Sequence, residues 1–266
     1  MPRMGHLKAA LSVPRLREDR NANLAEIEVQ TRDAARCGAD IVLFPEAALT
    51  GFVHIGDPED DRHLAVPVPG PETDRLSALA RECVLHLAIG LLERDGAELY
   101  DTALLFGADG RILLKYRRIS TGWHTRDADP AVYRHGTDMP VAHTALGSFA
   151  FLICGDITKD RLLDRIRELR PDWLLFPIAR GFDEDVHDER EWAEQEVAIY
   201  GERIARAGAA TLLVNYVGEM DDFYGGAVAY RADGSVLASR PLHQPGLLVV
   251  DLLTQSRAAS PTPAVT

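Results

Sequence analysis

The sequence predicts an α/β protein of the α+β kind, with two mixed β-sheets covered by helices. Three observations carry this reading. Short apolar runs of strand length recur along the whole chain. Stretches of helical period recur between them, but strands outnumber helices, so a single doubly wound parallel sheet does not fit. Several strand pairs flank Gly- or Asp-bearing turns, which marks antiparallel hairpins.

In chain order, residues 7–13 read as a strand and 20–37 as an amphipathic helix, with Leu24, Ile27 and Ala34 on one face. Residues 40–44 form a short apolar run that ends at Pro45, as a buried parallel strand does. A helix is predicted over 72–84 and a strand over 87–91. Residues 100–106 and 111–116 flank Gly107-Ala108-Asp109-Gly110 and read as a hairpin; 140–145 and 149–153 flank Leu146-Gly147-Ser148 and read as a second. A helix at 159–169, a strand at 173–176, a long helix at 188–207 and a strand at 211–215 come next. Strands at 226–230 and 236–238 pair around Ala232-Asp233-Gly234, and 246–252 is the last strand. One domain over residues 1–253 is expected, with 254–266, small, polar and Pro-bearing, as an extended or disordered tail.

Composition narrows the function. An apolar fraction of 46% is that of a globular protein. A formal net charge of −12 argues against a binder of phosphate backbones, so no nucleic-acid partner is expected. No apolar run reaches the roughly 18 residues of a membrane span, and none at the start is long enough for a signal peptide. Three cysteines make no disulfide framework, which favours a reducing, cytoplasmic compartment. The nine histidines have no ligand-like spacing and Cys154 has no C-x-x-C partner, so no metal is expected.

Three segments put polar chemistry where the pattern says core or strand end. Glu46 follows the run Ile41-Val42-Leu43-Phe44-Pro45 directly, where a carboxylate is costly unless paired or used. Cys154 ends a strand and precedes Gly155 and Asp156. A lone strand cysteine is usually a small packing residue, but on a tight strand-to-helix turn it is placed as a nucleophile, with Gly155 admitting close approach and Asp156 capping the next segment. The third segment is Lys115-Tyr116-Arg117-Arg118. Strand alternation places Tyr116 and Arg118 on one face and Lys115 and Arg117 on the other, so if Tyr116 points into the core, Arg118 does too.

Together these segments give the chain its likeness. FPEAALTGF (44–52), LLKYRRIS (113–120) and LICGDI (152–157), supported by WAEQEVAIYGERIARAGAATLLVNYVG (192–218), GGAVAYRADGSVLA (225–238) and PGLLVVDL (245–252), resemble the carbon–nitrogen hydrolase (nitrilase/amidase) superfamily in order and spacing over residues 7–252. The resemblance implies a four-layer α-β-β-α sandwich, a homodimer or higher homo-oligomer, and a cofactor-free Glu–Lys–Cys triad. It maps the base onto Glu46 and the nucleophile onto Cys154. The lysine maps onto Arg118, since the usual Tyr-Arg-Lys is here Tyr116-Arg117-Arg118. A further family glutamate falls on Asp129, with His135 where a proline is usual, and the bulky residue after the cysteine is here Gly155.

Arg118 keeps the positive charge and planar donors but holds its proton, because a guanidinium titrates above about 12. It is larger than lysine and takes room from a substrate unless Gly155 returns some. Lys115 substitutes only if a bulge turns it over. The expectation is a hydrolase of a small-molecule amide or N-carbamoyl group, less readily a nitrile, with Glu46, Arg118 and Cys154 catalytic and Asp129 and Gly155 at the substrate. The alternatives are a catalytically silent ligand- or partner-binding member, or an acyltransferase using the same acyl-enzyme. The acidic run 180–191 and the basic, His-bearing run 121–135 point to opposite substrate charges.

Overall fold

A computed structural model describes residues 6–51, 56–181, 189–218 and 223–253. Two six-stranded sheets stack face to face. The first has the order β12-β1-β2-β3-β4-β5 and the second β11-β10-β9-β8-β7-β6. The strands are β1 (His6–Val13), β2 (Ile41–Leu43), β3 (His86–Asp95), β4 (Glu98–Phe106), β5 (Ile112–Arg117), β6 (Ala142–Thr144), β7 (Gly147–Phe151), β8 (Trp173–Pro177), β9 (Ala210–Val214), β10 (Gly225–Tyr230), β11 (Val236–Leu242) and β12 (Gly246–Leu253). Each sheet is mixed: β1, β2 and β3 run parallel, as do β7, β8 and β9, and the flanking pairs are antiparallel.

The layers follow from which faces are apolar. Leu11, Leu43, Leu105 and Tyr116 of the first sheet meet Phe149, Phe151, Leu175 and Val214 of the second in a central core. Helices α1 (Arg20–Arg36) and α3 (Pro71–Cys83) cover the other face of the first sheet through Leu24, Ile27 and Leu76. Helices α4 (Asp160–Leu169) and α6 (Val197–Ala207) cover the second through Leu163, Ile166 and Ile204. The parallel strands are buried on both faces, which is why they read as unbroken apolar runs. The four-layer α-β-β-α expectation holds.

The departures are local. A helix, α2 (Pro58–Leu64), appears where none was predicted, started by Asp57, whose side chain accepts from the Glu59 and Asp60 amides. The predicted strand 87–91 is β3, longer and paired antiparallel with β4 through Asp95 and Glu98. The predicted helix 188–207 is α5 (Glu189–Glu191), a π-helical turn (Trp192–Glu196) and α6. The tail 254–266 and most of the acidic run 180–191 lie outside the described residues.

The outward face of the first sheet carries its own buried charge. Glu93, fully buried, accepts from Lys115 Nζ (2.8 Å), Arg117 Nε (2.9 Å) and Thr102 Oγ1 (2.8 Å). Burial pushes its carboxyl up, but the hydrogen bonds from Arg117, Lys115 and Thr102 outweigh that and hold it below the usual carboxylate range. A depressed folded value means stability that is complete above the unfolded glutamate pKa of about 4.3 and is lost as pH falls through the folded value. Glu93→Gln is therefore expected to cost about 2–3 kcal/mol at pH 7, since charged hydrogen bonds are lost. The gap to wild type should narrow in urea titrations below about pH 4. A gap equally wide at pH 7 and pH 3 contradicts the assignment.

Candidate active site

Three strand-end segments converge between the sheets. Past β2 the chain turns sharply at Pro45-Glu46-Ala47, with Ala47 at φ 49°. The turn lies directly on β3, where a Cβ at Gly90 would stand 2.6 Å from Glu46 Cα and from Ala47 N. Glycine in mid-strand is what lets one backbone approach another here. The Gly90 amide donates to the Pro45 carbonyl at 3.0 Å and fixes the turn.

Arg118 follows β5 and stands across the ladder from Asp101 of β4, its amide donating to the Asp101 carbonyl at 2.8 Å. Tyr116 and Arg118 are both buried on the inner face, as alternation predicted. Lys115 and Arg117 face Glu93 on the opposite side, which removes Lys115 as a replacement cation.

Cys154 sits past β7 at φ 42°, a left-handed conformation that a non-glycine residue adopts at a cost. It opens the short 3₁₀ turn Cys154–Thr158. Its Sγ is 3.9 Å from the Ala179 carbonyl oxygen past β8. Asp156 fixes the turn: Oδ1 accepts from the Ser120 amide (2.7 Å), and Oδ2 from Tyr116 Oη (2.6 Å) and the Ile153 amide (3.1 Å).

The guanidinium of Arg118 ties the cluster together. Nη1 donates to Glu46 Oε1 at 2.7 Å and to Asp101 Oδ2 at 3.3 Å. Nε donates to Ser120 Oγ at 2.9 Å, and Nη2 to the Thr121 carbonyl at 3.5 Å. Gly155 lies against this nitrogen, and a Cβ there would come within 2.5 Å of Nη2. Gly155 thus makes room for the guanidinium itself, beside the Cys154 turn.

The electrostatics are those of a buried polyion. Burial raises the Glu46 carboxyl well above its ordinary value and a nearby Cys154 thiolate raises it further, against the Arg118 charge. Asp101 opposes the rise and pulls the Glu46 carboxyl back down. Asp101 is likewise raised, by burial first and then by Glu46, with Arg118 opposing. Burial alone would lower Arg118, but Glu46, Cys154, Asp101 and Asp156 outweigh it, so the guanidinium stays charged. On the rim, burial and then His124 and Arg118 hold His135 below the usual imidazole value, and its Nδ1 is 3.3 Å from Trp123 Nε1.

Of the residues singled out in the sequence, Glu46, Arg118, Cys154 and Gly155 come together and Asp129 does not join them. Asp129 is exposed, and its Oδ1 accepts from the Ala131 amide at 2.8 Å while its carbonyl takes the Val132 and Tyr133 amides. That carboxylate caps a turn. The second acid at the cluster is Asp101, which sequence reasoning read as an ordinary strand residue. Its signal was the period-2 set Asp101, Ala103, Leu105, which shares the inner face with Tyr116 and Arg118. Among the described residues no group of three or more His, Cys, Asp or Glu is arranged to hold a metal ion.

Residues 8–260 match the sequence model of a family described as Carbon-nitrogen hydrolase. A bifunctional nitrilase/nitrile hydratase of Lupinus angustifolius is 38% identical over 157 residues, 51% of this chain and 43% of the relative. An aliphatic nitrilase of Sinorhizobium fredii is 38% identical over 144 residues, 46% of this chain and 44% of that protein. The match thus spans less than half the length of these relatives. Among solved structures, an amidase from Nesterenkonia sp. superposes with a TM-score of 0.76 at 23% identity, covering 95% of this chain and 92% of that one. A mutant of the same amidase in complex with butyramide gives 0.77 at 23% identity, covering 95% and 93%.

Proposed function

Because the chain belongs to the carbon-nitrogen hydrolase family, we propose that it is a cysteine-dependent hydrolase of a small non-peptide amide or N-carbamoyl bond, acting through a thioester acyl-enzyme. The observation that carries this is the buried 2.7 Å Glu46–Arg118 ion pair beside a cysteine on a strained turn. A thiol at neutral pH is largely protonated and needs a base at hand.

Glu46 takes the Sγ proton as Cys154 attacks the carbonyl carbon, and the C=O electron pair moves onto oxygen. Arg118 balances that negative charge with its free Nη2 donor. Collapse of the tetrahedral species breaks the C–N bond, and Glu46 returns its proton to the departing nitrogen. Water then attacks the thioester, giving a proton to Glu46, and Sγ leaves and is reprotonated. Glu46 therefore cycles between base and acid, for which a raised carboxyl pKa is suited.

The Arg118 substitution favours amides over nitriles. An amide develops an oxyanion, which needs charge and donors but no proton from the cation. A nitrile develops a nitrogen anion that must be protonated, and a guanidinium does not release a proton. That the same cation is accommodated by Gly155 counts against a catalytically silent site. For the Nesterenkonia amidase, one structure records covalent addition of the acetamide moiety of fluoroacetamide at its active-site cysteine, which supports amides as the first substrates to try. A cytoplasmic, homo-oligomeric protein is part of the proposal, in keeping with three free cysteines.

Iodoacetamide is expected to label Cys154 about tenfold or more faster than Cys37, although Cys37 is exposed. Intact mass after incubation with a panel of small amides should show an acyl adduct that is absent from Cys154→Ala. Equal and slow labelling of Cys37, Cys83 and Cys154 would sink the hydrolase reading.

A further inference from the structure

We propose that Asp101 is a positioning residue that carries a proton and donates it in a hydrogen bond to Glu46, so that Glu46 is the single ionised carboxylate facing Arg118. The inference rests on the hydrolase reading and extends it to a residue outside the Glu46–Arg118–Cys154 set.

Asp101 and Glu46 reach the same nitrogen, Arg118 Nη1, at 3.3 and 2.7 Å. Both carboxyls are fully buried. Arg118 is the cation that contacts them, so two anions would share one positive charge in a buried site, and like charges so placed do not both ionise. Their hydrogen bonds point the same way. Among buried side-chain oxygens, Glu46 Oε2 and Asp101 Oδ1 have no donor. The two carboxyls meet at one nitrogen, and a proton on Asp101 supplies the donor this pair lacks.

The shorter contact to Arg118 belongs to Glu46, which identifies it as the ionised member. Asp156 is a different case, because three donors already satisfy its carboxylate. Around Asp101 therefore stand Glu46 from the turn after β2, Arg118 and Tyr116 from β5 and its end, and Asp156 from the Cys154 turn. His135 on the rim feels Arg118 and Asp156.

The arrangement has a chemical purpose. Arg118 cannot pass a proton, so it cannot adjust the base by sharing one. A protonated Asp101 does so instead: its hydrogen bond stabilises ionised Glu46 and keeps it ready for the thiol proton, without adding a second negative charge beside the developing oxyanion.

The test is the pH dependence of Cys154 alkylation by iodoacetamide, which needs no substrate, read together with kcat/KM for an amide found by the adduct screen. Asp101→Asn keeps a neutral donor in the same place, and Asp101→Ala removes it. The acid limb of both profiles, which reports protonation of Glu46, is expected to move up by about one pH unit in Asp101→Ala. In Asp101→Asn it should stay within about 0.3 unit of wild type. A limb that moves down in both variants means that Asp101 was ionised and repelling Glu46, and overturns the proposal. A limb unmoved in both means that Asp101 is only a packing residue, and overturns it too. If wild-type Cys154 proves no more reactive than Cys37, the hydrolase reading itself fails and takes this inference with it. The wild-type measurement separates that outcome from the other two.

Discussion

Glu46→Gln is expected to lower amide turnover by about 10²–10⁴-fold, the range that a positioned general base contributes. The amide side chain keeps the volume and a hydrogen-bonding oxygen for Arg118 but cannot take the thiol proton. On the proposed mechanism both half-reactions suffer, because the same carboxylate would serve the attack by sulfur and the attack by water. An acyl adduct that does form on Cys154 should therefore persist, and intact mass should detect it for longer than in wild type. The fold should survive, since Arg118 keeps Asp101, Ser120 and Thr121 as partners. A variant that turns over within tenfold of wild type, with normal melting, would remove Glu46 from the role of base.

Gly155→Ala is expected to cost about 10²-fold in kcat/KM, a loss of the size that small misplacements of catalytic groups produce. The added Cβ would lie 2.5 Å from Arg118 Nη2 and 3.2 Å from Ser120 Oγ. The guanidinium has no free direction in which to retreat, because Nη1 is held by Glu46 and Asp101 and Nε by Ser120. Lysine at 118 is shorter and lacks Nη2, so in an Arg118→Lys background the same Gly155→Ala change should cost little. The double-mutant cycle is therefore expected to be strongly non-additive, with a coupling of at least about 1.4 kcal/mol, a factor of ten in rate. Additive losses would show that Gly155 serves the ligand and not the guanidinium. Arg118→Lys alone separates two histories of the site. A fall in turnover means that Asp101, Gly155 and Arg118 are matched to one another; a rise means that the arginine impairs a site built for lysine.

Much of this was legible in the sequence because strand alternation is unforgiving. Once Tyr116 is placed inside, Arg118 must be inside as well, and Lys115 and Arg117 must find partners on the other face, as they do in Glu93. The layers were legible for the same reason, since each apolar run has one face or two to bury. Asp101 was not, and the cause is specific. The β4–β5 ladder begins at Phe106 opposite Ile112 and then shifts by one residue, pairing Leu105 with Leu114. Counting back from the turn without that bulge sets Asp101 opposite Arg117. With the bulge it stands opposite Arg118. The extra residue in β5 thus sets Arg118, and not Arg117, beside Asp101, a pairing that plain counting misses although the alternation of β4 already places Asp101 with Ala103 and Leu105. Asp129 stands apart from the cluster for a local reason. An aspartate two residues before an unpaired amide caps its own turn, and local hydrogen bonding wins over a distant cluster.

Asp156 draws its donors from both halves of the molecule: Tyr116 and Ser120 come from the first sheet, Ile153 from the second. Its carboxylate works as a latch between layers. Cys154 and Glu46 arrive on separate layers, so on the proposed mechanism a nascent or partly melted chain is expected to present an ordinary thiol. On that reading reactivity waits for assembly, and the rate of thiol modification is expected to double as a gauge of whether the two halves have docked.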